Sequence, residues 1–309
     1  MDLLVRVHNE LWLKYRKHVF NIKNQFNHYR TTRETLTSTE CFIHIDFAEN
    51  YVGKMSREIQ SKHFGASQIQ ITLHTGYFIT GTMDKVQSFC GVSYSLQHDP
   101  MSVWAHLNPI LKKIREEHPD VDTLQLFSDG PTSQYKQKLN FYLLSTELFE
   151  HGFKKGYWNF HTAGHGKYIP DGIGASLKRA ADIRVKHGED VVSASQFIKQ
   201  MHKSGSKVEV YQIQEQDIKE IERKMKDKNL KAIPGTMKIH QLTTEQSEEV
   251  KHSLVSCVCY EKFCNGHDLC SFKFPSGSEK SKQSCSNESK QNSTQDSYQD
   301  SRGKSGTNG

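Results

Sequence analysis

The sequence predicts an α/β fold, a mixed sheet with helices on both faces. Three observations carry that expectation. Apolar or alternating runs bounded by turn residues read as strands at 41–47, 68–79 and 87–96, and only short links join them. Two further runs, 122–130 and 157–163, are each preceded by a helix-length amphipathic segment. Strands joined by short links form a meander, whereas strands joined through helices can run parallel.

Each element has its own warrant. Residues 1–38 read as helical, with Leu3, Leu4, Val7, Leu11, Leu13, Val19 and Phe20 on an apolar stripe and Arg6, Lys14, Arg16 and Lys17 between them. A helical hairpin packed on the domain is expected there; a helix contacting DNA is the sharper alternative. Ile69, Ile71 and Leu73 alternate onto one face of the second strand. A helix should start at Pro100 and stop before Pro119, with Pro109 kinking or dividing it. Residues 133–152 predict a helix closed by Gly152, and 171–187 another ended by Gly188. The predicted units are an N-terminal helical segment (1–40), the α/β core (41–188) and a small α+β appendage (189–274). The last, 275–309, is expected to be disordered, since ten serines fall among those 35 residues and almost nothing there can be buried.

The 309 residues carry a formal charge of +6 with a pI near 8.8, a mildly basic balance that suits a polyanion without requiring one. Asp2, Arg6 and Glu10 interrupt the place where a signal peptide needs an apolar run. No segment approaches the ~18 continuous apolar residues of a membrane span. An intracellular setting without membrane contact is therefore expected, and with it cysteines that are thiols or metal ligands.

Three acids fall at related places. Asp46 ends the first strand, Asp129 ends the fourth, and Asp171 opens the helix after the fifth. If the first and fourth strands are neighbours, all three meet at one edge of the sheet. Clustered carboxylates repel one another unless cations neutralise them, and hard oxygen ligands suit Mg²⁺. Each acid also has a structural reading: Asp171 is a good first-turn residue, and Asp129-Gly130-Pro131 is a good turn. Glu49, Asn50, Gln134, Tyr135 and Lys136 either line such a site or serve as ordinary polar residues.

The strand order and acid placement resemble the RNase H-like catalytic core of DDE/D-type transposases and retroviral integrases. The blocks "HIDFAENY", "LFSDGPTSQYKQK" and "GHGKYIPDGIGASLKR" are similar to blocks in transposase-derived proteins of animal genomes. The resemblance implies a five-stranded mixed sheet in the order 3-2-1-4-5. It implies Asp46, Asp129 and Asp171 as ligands of two Mg²⁺ or Mn²⁺ ions, attack on DNA phosphodiester bonds, DNA as partner, a nuclear location and a capacity for homo-oligomers. The third acid is Asp here, where Glu is commoner. His165, Lys167, Lys178 and Arg179 are the basic residues expected to meet the DNA backbone; Lys178 lies two helical turns beyond Asp171 on the same face. The alternative is a transposase relic that keeps the fold and binds nucleic acid or protein without catalysis.

Cys257, Cys259, Cys264 and Cys270, with His267 among them, form a second constellation. Four soft ligands within fourteen residues can hold a tetrahedral structural Zn²⁺, although the spacing lacks the C-x2-C pair of ordinary zinc sites. Surface thiols or small buried hydrophobes are the other readings. Cys41 and Cys90 are expected in the core.

Overall fold

The computed structural model describes residues 2–57, 69–162, 169–257, 269–274 and 282–285, with backbone alone for 2–4, 6 and 282–285. The N-terminal segment is one helix, α1 (Asp2–Glu34), and not a hairpin. No Gly or Pro occurs within it, so nothing breaks its hydrogen-bond ladder. Its C-terminal half is anchored by a buried polar network. Gln25 Nε2 donates to Phe160 O (2.9 Å) and Ser256 Oγ (2.8 Å), and His28 Nε2 lies 3.0 Å from Asn159 Oδ1.

The chain then forms β1 (Glu40–Val52), β2 (Gln70–Thr80), β3 (Gln87–Ser93), α2 (Pro100–Glu117), β4 (Thr123–Ser128), α3 (Lys138–Leu144), α4 (Glu147–Glu150) and β5 (Lys155–Phe160). After these come α5 (Ile169–Lys186), α6 (Ala194–Lys203), β6 (Glu209–Gln212), α7 (Glu215–Met225), β7 (Gln241–Gln246), β8 (Glu249–Ser253), β9 (Cys270–Lys273) and β10 (Lys282–Cys285). Asp99 caps α2 by accepting from Ser102 N at 2.9 Å. Pro109 neither divides that helix nor ends it. The buried Trp104, Leu107, Ile110 and Leu111 hold the helix in place around it, so packing offsets the lost hydrogen bond.

The α/β class with a mixed sheet and flanking helices is as expected. The sheet is larger than the five strands expected from sequence: it has ten, in the order β10-β9-β8-β7-β5-β4-β1-β2-β3-β6. β1 is antiparallel to β2 and parallel to β4; β4 is parallel to β5. β6 pairs parallel with β3, and β7 antiparallel with β5, so residues 189–274 extend both edges of the central sheet. β10 pairs with β9, which gives Lys282–Cys285 a partner inside the stretch expected to be disordered. The added strands carry few side chains of their own for the core, and the buried groups they do supply, such as Leu242, Val250 and Phe272, reach it only by joining the sheet.

Helices cover both faces. α2, α3 and α7 pack on the face that receives Cys41, Ile43 and Ile45; α5, α6 and the end of α1 pack on the face that receives Phe42 and Phe127. Cys41 and Cys90 are buried in the core. No helix among the described residues is long and apolar enough to cross a membrane.

Candidate metal centre

The period-two alternation of β1 decides where Asp46 points. Phe42 and His44 face α1 and α5, so Asp46 continues that face. In the parallel β1–β4 ladder Ile43 pairs with Leu126 and His44 with Phe127. Extending that register by two residues brings Asp46 opposite Asp129. A bulge in β1 between Ala48 and Tyr51 follows directly, a common feature beside functional sites.

Asp171 comes to the same place through α5. Pro170 and Asp171 occupy its first turn, where a carboxylate is favoured by the unpaired amides. Thr75, across the ladder from Asp46, fastens the helix there. Its Oγ1 lies 3.1 Å from the Asp46 carbonyl oxygen and 3.0 Å from that of Pro170, so one proton is shared between strand and helix. Gly174 permits the close approach: a Cβ there would stand 2.7 Å from the Ala48 Cβ. This is the use of the second glycine in "DGIG". Gly174→Ala gains helix propensity of ~1 kcal/mol, yet the overlap with a rigid strand should reverse the sign. Net destabilisation of about 1–3 kcal/mol is expected, largely relieved in Ala48→Gly/Gly174→Ala. Denaturant titration of the two single variants and the double one checks it; a more stable Gly174→Ala protein would remove the contact from the argument.

The electrostatics tie the three acids together. Burial, then the charges of Asp129 and Asp171, push the Asp46 carboxyl up to about 7. Burial and then Asp171 raise that of Asp129. Asp129 Oδ1 is buried and has no hydrogen-bond partner among the described residues. An acceptor oxygen held from water without a donor is what a hard cation would satisfy. Among the described residues no group of three or more His, Cys, Asp or Glu closes around one point as a cage for a single ion. A two-ion site does not ask for that. It needs one acid shared between the ions and one on each side, with water completing each shell.

Beneath the acids lies a ring stack in which His74 and Tyr135 are buried and Phe47 and His98 half-buried. Phe47 sits between His74 (4.1 Å between centroids) and His98 (4.2 Å), and Tyr135 Oη is 3.2 Å from His74 Nε2. Burial holds His74 well below the ordinary imidazole range and brings His106 down to about 3, so both are neutral supports. Burial, then the charges of Asp46 and Asp129, raises Tyr135 and keeps its proton on. Residues 133–137 are therefore not the start of a long helix. Tyr135 N and Lys136 N both bond the Pro131 carbonyl, and Asn140 Nδ2 takes the carbonyls of Gln134 and Tyr135. The turn tucks Tyr135 and Lys136 inward, a diversion for which Pro131 and Asn140 are the sequence signals.

The basic residues divide. Lys178 bonds Glu49, whose side chain is 94% exposed, with Nζ 3.6 Å from Oε2. Such a pair contributes at most about 1 kcal/mol, so an incoming phosphate can displace it. Arg179 is exposed on α5. His165 and Lys167 lie outside the described residues, as do Cys259 and Cys264. Cys257 and Cys270 are each disulfide-bonded. A sulfur in a disulfide is no thiolate, so a zinc site using these two requires their reduction. A cleft of about 670 Å³ lined by Thr39, Arg115, Asp120, Asp122 and Lys154 opens at the other end of β1 and β4.

Fold and site together define an α/β protein with three acids gathered at the carboxyl edge of its central strands, two of them, Asp46 and Asp129, raised by burial and by neighbouring charge. The chain belongs to the family described as a domain of unknown function, DUF8701, which matches residues 25–256. No curated protein and no solved structure matches it.

Proposed function

We propose that the protein is a transposase-derived, metal-dependent DNA strand transferase or endonuclease built on an RNase H-like core. The observation that carries this reading is the meeting of Asp46, Asp129 and Asp171 at one corner, from β1, the end of β4 and the first turn of α5: the charges of Asp129 and Asp171 act on Asp46, and that of Asp171 on Asp129. The central strand order β3-β2-β1-β4-β5 within the larger sheet supports the core, and the hard oxygen donors suit Mg²⁺ or Mn²⁺. When bound, two such ions would activate the attacking oxygen and stabilise the leaving one.

Asp46, on which the charges of both other acids act, would be the shared ligand, with Asp129 and Asp171 each completing one side. Tyr135 and Thr75 fix the strand and helix that carry them. Lys178 and Arg179 on α5 would take backbone phosphates and orient the strand. The test is nicking or strand joining of labelled DNA. Product is expected with Mg²⁺ or Mn²⁺ and none with EDTA. Wild-type protein inert on every DNA tried would leave the alternative, a non-catalytic relic that binds nucleic acid or protein.

A further inference from the structure

Lys136 is 4% exposed, and the turn after Pro131 carries it beneath the Asp129-Gly130 corner. Its ammonium stands 5.2 Å from the centroid of the Phe160 ring and makes no hydrogen bond or ion pair among the described residues. Gly130 leaves it room: a Cβ there would lie 3.2 Å from Lys136 Cε and 3.3 Å from Nζ. Burial brings the ammonium down to about 8, so it is still mostly charged at neutral pH. Its charge is felt by a neighbouring imidazole. After burial, the charge of Lys136 is the next cause that holds His240 below the ordinary imidazole range, and Lys17 of α1 adds to it. A cation kept from water without a hydrogen bond or ion pair among the described residues is costly, and part of that cost is recovered when an anion pairs with it.

We infer that this corner is a seat for a DNA backbone phosphate flanking the reacting one, with Lys136 as its cation and Lys17 as an outer contact. The choice of DNA rests on the reading of the acids given above; the need for an anion rests on Lys136 itself. A strand laid across the acids would meet Lys178 and Arg179 of α5 at the surface and Lys136 beneath the Asp129-Gly130 corner. A seat of this kind adds affinity without sequence preference, because phosphates carry no base information.

The test is fluorescence anisotropy of a labelled DNA duplex, titrated with the full chain in EDTA at several salt concentrations. Lys136→Met should weaken binding several-fold at low salt. Its plot of log Kd against log salt should be shallower by about 0.9, the loss of one phosphate contact. Lys136→Arg should keep the wild-type slope, and Lys136→Gln should repeat the Met result. The melting temperature of Lys136→Met should match or exceed that of wild type, since a buried unpaired charge has gone. An unchanged slope in Lys136→Met and Lys136→Gln would overturn the seat, as would absence of wild-type binding at low salt. Inorganic phosphate competing as tightly as the duplex would also overturn it, in favour of a small-anion site. The two readings separate cleanly. A Lys136-dependent slope without metal-dependent cleavage sinks the catalytic reading alone. Cleavage with an unchanged slope sinks the seat alone.

Discussion

Asp46→Asn is expected to remove nearly all metal-dependent cleavage, by roughly three orders of magnitude or more, while leaving the fold intact. The amide keeps the shape of the carboxylate and loses the ligand charge. Asp129→Asn and Asp171→Asn should be as severe, and double variants little worse than single ones, because the acids act as a unit. Asp46→Asn should also be more stable than wild type at pH 8 without metal. Its carboxyl is raised by burial and by two neighbouring charges, so its ionised form is a liability in the folded chain. On the proposed reading, a ligand that is also a source of strain gives two opposite readouts from one substitution. Asp171 is the most exposed of the three, so its replacement should cost activity with the smallest change in stability. Wild-type cleavage by the Asp171→Asn protein would take that residue out of the site.

The acids were legible in the sequence because each stands beside strong punctuation: "HIDF" closes an apolar run, "SDGP" is a turn, and "IPDG" opens a helix. The central strands were legible for the same reason. What escaped was set by partners far along the chain. β6, "EVYQ", is half-buried and short, and nothing local says that Phe89 will pair with Glu209. β7 to β9 fall in the stretch read as an appendage and β10 in the one expected to be disordered; only the β5 edge joins them to the central sheet. Pro109 reads as a break until ten buried neighbours on its own helix override it. Gly174 was the missed local signal. A glycine inside a helix is costly unless something presses close, and here β1 does.

The pH dependence of the metal-free protein carries the largest stability effect expected. Asp46 titrates near 7 in the folded chain and near 3.8 unfolded. Below the unfolded value both states hold the proton, and the stability tied to it is fully present. As pH rises from about 4 to 7 the unfolded carboxyl ionises first, so stability falls by roughly 1.4 kcal/mol per pH unit for a single such group. Above 7 the loss is complete and on the order of a few kcal/mol. Asp129 is raised as well and pushes the same way. The buried histidines oppose this. His28 lies near 4, and His106 and His161 near 3, so the unfolded chain takes up their protons first and stability falls as pH drops below about 6.5. The raw profile therefore mixes both trends, and the difference between wild type and Asp46→Asn isolates the carboxyl. That difference should be near zero at pH 4, grow in favour of the Asn protein to about pH 7, and then level off. Mg²⁺ or Mn²⁺ must displace the same proton, so below pH 7 the metal-induced rise in melting temperature should shrink with each unit of acidity. Thermal melts of both proteins, with metal and with EDTA, from pH 4 to 8 give all four curves. A difference profile flat across pH 4 to 7 would show that Asp46 is not strained, and the electrostatic case for the trio would fail with it.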